Sequence, residues 1–320
     1  MPAPAPNLDT APALAEGIDD YVARFRAAQG GAGKSLAAAR LASDRAADLF
    51  ALPEVPGMRS FTTFIVREGQ EVAVRVHHPG GGKVRPGIVY YHGGGFVFGS
   101  IESFDCVAQA LAAQCGAVVA SIQYRRLPEN SYAQAQEDCD AALDWLVEQA
   151  GELGVDPGSV AVAGDSVGAL LATVAAMRAR ARGTSVAAQL LLYGAFALRS
   201  RPAYFASRDP LLTGERVEGF IQAWRKAGGP ECHPAPLDVE DLSGLPPAVM
   251  LAAEHDPLLG ESRDYATRLA RAGVPVSHRV APGMIHGFLR AMTVSPSAAR
   301  ELAAVAETLG RHLSPQEPQG

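Results

Sequence analysis

Six short apolar runs recur along the chain with helical stretches between them: GIVYY (87–91), AVVASI (117–122), SVAVA (159–163), QLLLY (189–193), AVMLAA (248–253) and PVSHRV (275–280). Those between 87 and 252 are apolar throughout, as strands must be when both faces of their sheet are covered. Alternation with helical stretches at 137–150 and 167–182 predicts right-handed βαβ units around a mostly parallel sheet. Two further runs, FTTFIVR (61–67) and EVAVRVH (71–77), alternate with period two around the turn-like Glu68-Gly69-Gln70 and read as a strand pair. The expected class is α/β, with about eight strands and helices on both faces.

The segment from 194 to 247 is too long for one crossover connection. In it Thr213 is a plausible N-cap, Val217, Phe220, Ile221 and Trp224 share a helical face, and Gly228 and Gly229 end the helix. Near the N-terminus, Leu14, Ile18, Tyr21, Val22 and Phe25 recur at helical spacing, and a second helix is expected over 35–50. Between these helices, 28–35 fits the loose form of a phosphate-binding loop with Lys34 in the lysine slot. No strand leads into it, so it reads as a connector. Ligands of open α/β sheets bind beyond the carboxyl ends of the strands, where residues of about 12–56 and 197–240 could pack as a cap over a single domain of 1–320. An insertion that merely covers apolar surface is the other reading, and both stand. The Ala/Pro segment 1–11 is expected to be disordered.

The formal charge of −6, with 48% hydrophobic and 19% charged residues, supplies a core and no basic excess. Nucleic acid is therefore not an expected partner; a small or neutral substrate is. No apolar run reaches the roughly 18 residues of a membrane span, and Arg24, the first basic residue, comes too late for a secretory leader. A cytoplasmic location is expected. Cys106, Cys115, Cys139 and Cys232 form no CxxC pair and are expected as buried free thiols. The histidines, including adjacent His77 and His78, show no ligand spacing, so no metal is expected.

Chemistry enters with Gly164-Asp165-Ser166-Val167-Gly168, a GxSxG placed between a strand and a helix. That context lifts the serine onto a sharp elbow whose flanking glycines let strand and helix approach closely. The Val167 amide at the helix start can then donate to an oxyanion. After GIVYY come His92-Gly93-Gly94-Gly95-Phe96, whose glycine amides can converge on the same point; each such donor contributes about 10²- to 10³-fold in rate. A dinucleotide loop fails on spacing, because Phe98 stands where its last glycine is required. A hydroxyl needs a base, and the base needs an acid to orient it. Asp256 and His286 follow later strands, and the chain order Ser, Asp, His is the one used by this kind of elbow. Glu254 is too close to its strand end, and Glu261 and Asp264 belong to a following helix.

Together HGGGFVFG, GDSVG, EHDPLL and HGF, with YRRLPEN, EDCDAALDWL and LPPAVMLAAEHDPLL, resemble the bacterial hormone-sensitive-lipase group of α/β-hydrolase carboxylesterases over about 60–312. The resemblance implies a cofactor-free hydrolase of mostly short-chain acyl esters, and short to medium acyl chains are the expectation for this chain. Its triad would be Ser166, Asp256 and His286, its oxyanion hole Gly93, Gly94, Gly95 and Val167. Phe96, Phe98, Phe220 and Trp224 are candidates for the substrate pocket, with core packing as the rival assignment. The sequence departs from the group at Val167 (usually alanine), at Arg126-Leu127 (usually Leu-Ala) and at Gly260, where an acid is common. An amidase or peptidase on the same triad and a non-catalytic ligand-binding member of the fold are the alternatives. A homodimer is one assembly open to such a chain.

Overall fold

The computed structural model describes residues 13–30, 35–67 and 70–314. The segment 1–11, the connector residues 31–34 with Lys34, and Glu68-Gly69 lie outside the described residues.

Eight strands form one sheet: β1 (Arg59–Arg67), β2 (Gln70–His78), β3 (Arg85–Tyr91), β4 (Val118–Ile122), β5 (Val155–Asp165), β6 (Ala188–Leu192), β7 (Ala248–Ala253) and β8 (Val276–Ala281), ordered β1-β2-β4-β3-β5-β6-β7-β8. β2 runs antiparallel to both β1 and β4, and every other pairing is parallel. The described helices are α1 (Ile18–Gln29), α2 (Leu36–Asp48), α3 (Asp105–Cys115), α4 (Tyr132–Glu148), α5 (Ala150–Leu153), α6 (Val167–Arg182), α7 (Pro202–Phe205), α8 (Gly214–Lys226), α9 (Gly229–Cys232), α10 (Leu259–Arg271) and α11 (Pro296–Leu313).

β3 shows why the central runs carry no polar alternation. Its Ile88 and Tyr90 join a core with α1, α3 and α11, while Val89 and Tyr91 join the opposite core with α4, α6, α8 and α10. Edge strand β1, by contrast, leaves Phe61, Phe64 and Val66 exposed.

Helix starts follow capping chemistry more closely than apolar spacing. α4 begins at Tyr132, ahead of the expected 137, because Ser131 and Gln134 form a reciprocal capping box. α1 begins at Ile18, not Leu14: Gly17 adopts φ 80°, and a side chain there would run into the Val294 carbonyl. Thr213 caps α8 through the Arg216 amide.

The excursion before β7 and the N-terminal helices both stand over the strand ends. α1 packs on α2, and Arg40 of α2 donates to the carbonyls of Val97 and Leu127 and pairs with Glu129. Trp224 of α8 meets Tyr132 of α4 edge-on at 6.0 Å. The four cysteines are unpaired; Cys106 and Cys139 are buried, whereas Cys115 and Cys232, the last residues of α3 and α9, are half-buried against the two cores. Among the described residues no helix is long and apolar enough to cross a membrane.

Candidate active site

Ser166 stands between the end of β5 and the start of α6 with φ 56° and ψ −123°, a conformation costing a non-glycine residue on the order of 1–3 kcal/mol. Neighbouring contacts impose it. The Ser166 amide donates to the Leu192 carbonyl at 2.9 Å, and its carbonyl accepts from Ala169 and Ala195. A side chain at Gly164 would strike the Gly168 carbonyl, and one at Gly168 the Tyr91 carbonyl. Only glycine permits that approach of strand and helix.

His286 arrives on the loop after β8. Its Nε2 lies 2.8 Å from Ser166 Oγ and its Nδ1 2.7 Å from Asp256 Oδ2. With Asp256 accepting from Nδ1–H, Nε2 is left as the acceptor for the serine proton. Asp256 is held in turn by the Leu258 amide at 2.8 Å. Glu254 faces elsewhere and accepts the Gly283 amide at 2.7 Å.

A third carboxylate was not anticipated. Asp209, in the loop before α8, is buried and accepts the amides of Leu211 and Leu212 at 2.8 Å and that of His286 at 2.5 Å. Burial and the nearby Asp256 charge raise its pKa. No spacing rule pointed to Asp209, because its partner is a backbone group distant in sequence. Burial works to lower the His286 pKa, but the charge and hydrogen bond of Asp256, followed by Asp209 and Asp165, outweigh it and hold the imidazole above its ordinary 6.5.

The glycine run divides. Gly94 and Gly95 line the cavity beside Ser166 and Val167, at φ 114° and 63°. Gly93 does not serve there as expected, because its amide donates at 2.7 Å to Asp165 Oδ1, which also accepts the Tyr90 hydroxyl. Desolvation pushes the Asp165 pKa up to about 6. His92 stacks on Tyr124 at 4.3 Å, and burial lowers its pKa to about 3, so it is neutral packing.

The cavity holds about 210 Å³ and its walls are mostly apolar. Of the aromatic candidates, Phe98 and Phe220 line it and meet edge-on at 6.2 Å. Phe96 and Trp224 do not: both are buried in the core with their rings against Tyr132. The Val167 side chain lines the cavity beside the nucleophile. Arg126 donates to the Gly99 carbonyl at 2.6 Å, bracing the loop after the glycine run, and Leu127 fills the core. Nothing stands within 4 Å of a side chain added at Gly260, so its departure has no structural explanation. Among the described residues no three His, Cys, Asp or Glu side chains converge as metal ligands. His77 contacts Ser60 and Asp105, and His78 contacts the Leu153 carbonyl and the Gly80 amide.

Residues 88–290 match a family model described as alpha/beta hydrolase fold. The chain is 36% identical over 330 residues to carboxylesterase NlhH of Mycobacterium tuberculosis, covering 95% of this chain and 97% of that protein. It is 34% identical to an ethyl acetate hydrolase of Pseudomonas putida, covering 81% and 84%. Among solved structures it superposes on a hyperthermophilic esterase of Pyrobaculum calidifontis with TM-score 0.83 and 32% identity, covering 93% and 99% of the two chains.

Proposed function

This chain belongs to the α/β-hydrolase-fold family as a carboxylic ester hydrolase of the hormone-sensitive-lipase type, and from that premise we propose that Ser166, His286 and Asp256 carry the reaction through an acyl-enzyme. The supporting observation is the continuous hydrogen-bonded line from Ser166 Oγ through both imidazole nitrogens to the buried Asp256 carboxylate. His286 Nε2 takes the hydroxyl proton as Oγ bonds to the ester carbonyl carbon. The resulting oxyanion sits against the amides of Gly94, Gly95 and Val167, the last backed by the positive end of α6. The imidazolium gives the proton to the leaving alcohol, and water repeats the sequence in reverse to free the acid. A cavity of about 210 Å³ with mostly apolar walls suits acyl chains of short to medium length.

A fluorophosphonate probes this directly, since only an activated serine attacks phosphorus quickly. Rapid, stoichiometric inactivation with the adduct mapped to Ser166 is expected. An adduct on another residue, or unimpaired turnover after Ser166 is modified, would remove Ser166 from the role.

The electrostatics set a pH profile. The base must be neutral, and the negative groups around His286 favour its protonated form, so kcat/KM is expected to rise with pH through one ionisation whose midpoint lies above 6.5. Asp209→Asn removes one of those charges and should move the midpoint down. A wild-type midpoint below 6.5 would mean that desolvation, not Asp256, governs the imidazole.

A further inference from the structure

Arg290 lies in the 3₁₀ turn Phe288–Ala291, just past His286, and its side chain lines the same cavity as Ser166. It is 6% exposed, yet its Nε and Nη2 have no hydrogen-bond partner. A guanidinium carries five N–H donors and keeps its charge at any ordinary pH, so burying it with donors unmade is costly. What holds it is a pair of rings, Phe25 of α1 and Phe104, each centred 5.1 Å from its central carbon. These ring contacts hold the cation without satisfying the N–H groups of Nε and Nη2.

The titratable groups that feel this charge are mostly neutral. Burial raises the pKa of Tyr21, of Tyr193 and of the Cys106 thiol, and so keeps all three protonated. The remaining one, Asp165, spends Oδ1 on the Tyr90 hydroxyl and the Gly93 amide. A fixed, desolvated cation thus stands in the wall of a mostly apolar cavity, whose other guanidinium, that of Arg216, donates to the Leu211 carbonyl at 2.8 Å.

We infer that Arg290 selects esters carrying a carboxylate a few bonds from the scissile carbonyl, the anion docking on the buried guanidinium between Phe25 and Phe104. The inference rests on Ser166 being the nucleophile of that cavity. A carboxylate matches the planar fork of the guanidinium, and the low local dielectric strengthens the pair. The anion can belong to the acyl or to the alcohol half of the ester.

The test compares kcat/KM for anionic and neutral esters of matching length in wild type, Arg290→Met and Arg290→Lys. The acyl arm uses monoethyl glutarate against ethyl hexanoate, the alcohol arm 4-acetoxybutyrate against pentyl acetate. In one arm the anionic-to-neutral ratio should fall by on the order of 10- to 100-fold in Arg290→Met, the range for a hydrogen bond to a charged group. Arg290→Lys, which keeps the charge but loses the fork, should fall less. Using the ratio cancels any general loss from disturbing the ring sandwich. Should Arg290→Met fail to fold, the lysine variant still reports, and free glutarate should inhibit wild-type turnover of neutral esters competitively and more strongly than in that variant. Ratios in both arms within about twofold of wild type in the folded variants would overturn the inference. Absence of any ester turnover by wild type would instead sink the reading of Ser166.

Discussion

Ser166→Ala is expected to lower ester turnover by about 10⁶-fold, the scale of loss when the serine of a comparable triad is removed. The substitution deletes the proposed nucleophile and changes little else. Ser166 Oγ is paired with His286 Nε2, whereas the turn is held by backbone bonds to Leu192, Ala169 and Ala195 that alanine retains. Thermal unfolding should therefore stay near that of the wild type, and the fluorophosphonate should no longer label the protein. The residual rate should exceed the uncatalysed one, because the proposed oxyanion hole of Gly94, Gly95 and Val167 amides is left in place. Turnover within about tenfold of wild type, in protein shown free of wild-type contamination, would require another nucleophile.

Asp256→Asn should produce the second largest loss, about 10⁴-fold, by analogy with amide replacement of the acid in serine proteases. An amide at this position can donate to Nδ1, which stabilises the tautomer with the proton on Nε2. That tautomer cannot accept from Ser166. Asp256 is buried and its Oδ1 accepts the Leu258 amide at 2.8 Å, so the variant should remain folded if the amide oxygen keeps that bond. Glu254→Gln is the control, since its role is to accept the Gly283 amide and a glutamine carbonyl can do the same. It should stay within about tenfold of wild type. The opposite ranking, with both variants folded, would transfer the acid to Glu254.

Much of this architecture was legible in the residues because the relevant signals are local. Apolar runs report strands covered on both faces, and β3 does place alternate side chains in two separate cores. The glycines around Ser166 are required by contacts within one turn and with the adjacent strand β3, so their spacing is a reliable trace of the elbow. Helix starts were less legible where caps and apolar faces disagreed. At α4 the Ser131–Gln134 box begins the helix before its apolar stripe becomes distinctive.

The chain by itself determined the strand sequence, the mostly parallel sheet and the placing of Ser166, Asp256 and His286 in loops beyond strand ends. Each follows from periodicity, turn chemistry or order along the backbone. Only the tertiary structure decided what faces those loops. Gly93 is one of three consecutive glycines, yet its amide is taken by Asp165 from a strand 72 residues away. Phe96 and Phe98 are neighbours of equal hydrophobicity, but one enters the core and the other the cavity. Asp209 reaches the His286 backbone across 77 residues, and Arg290 is sandwiched by rings from two separate segments. Local pattern specifies which side of an element is apolar, whereas the partner across a contact depends on how distant segments pack.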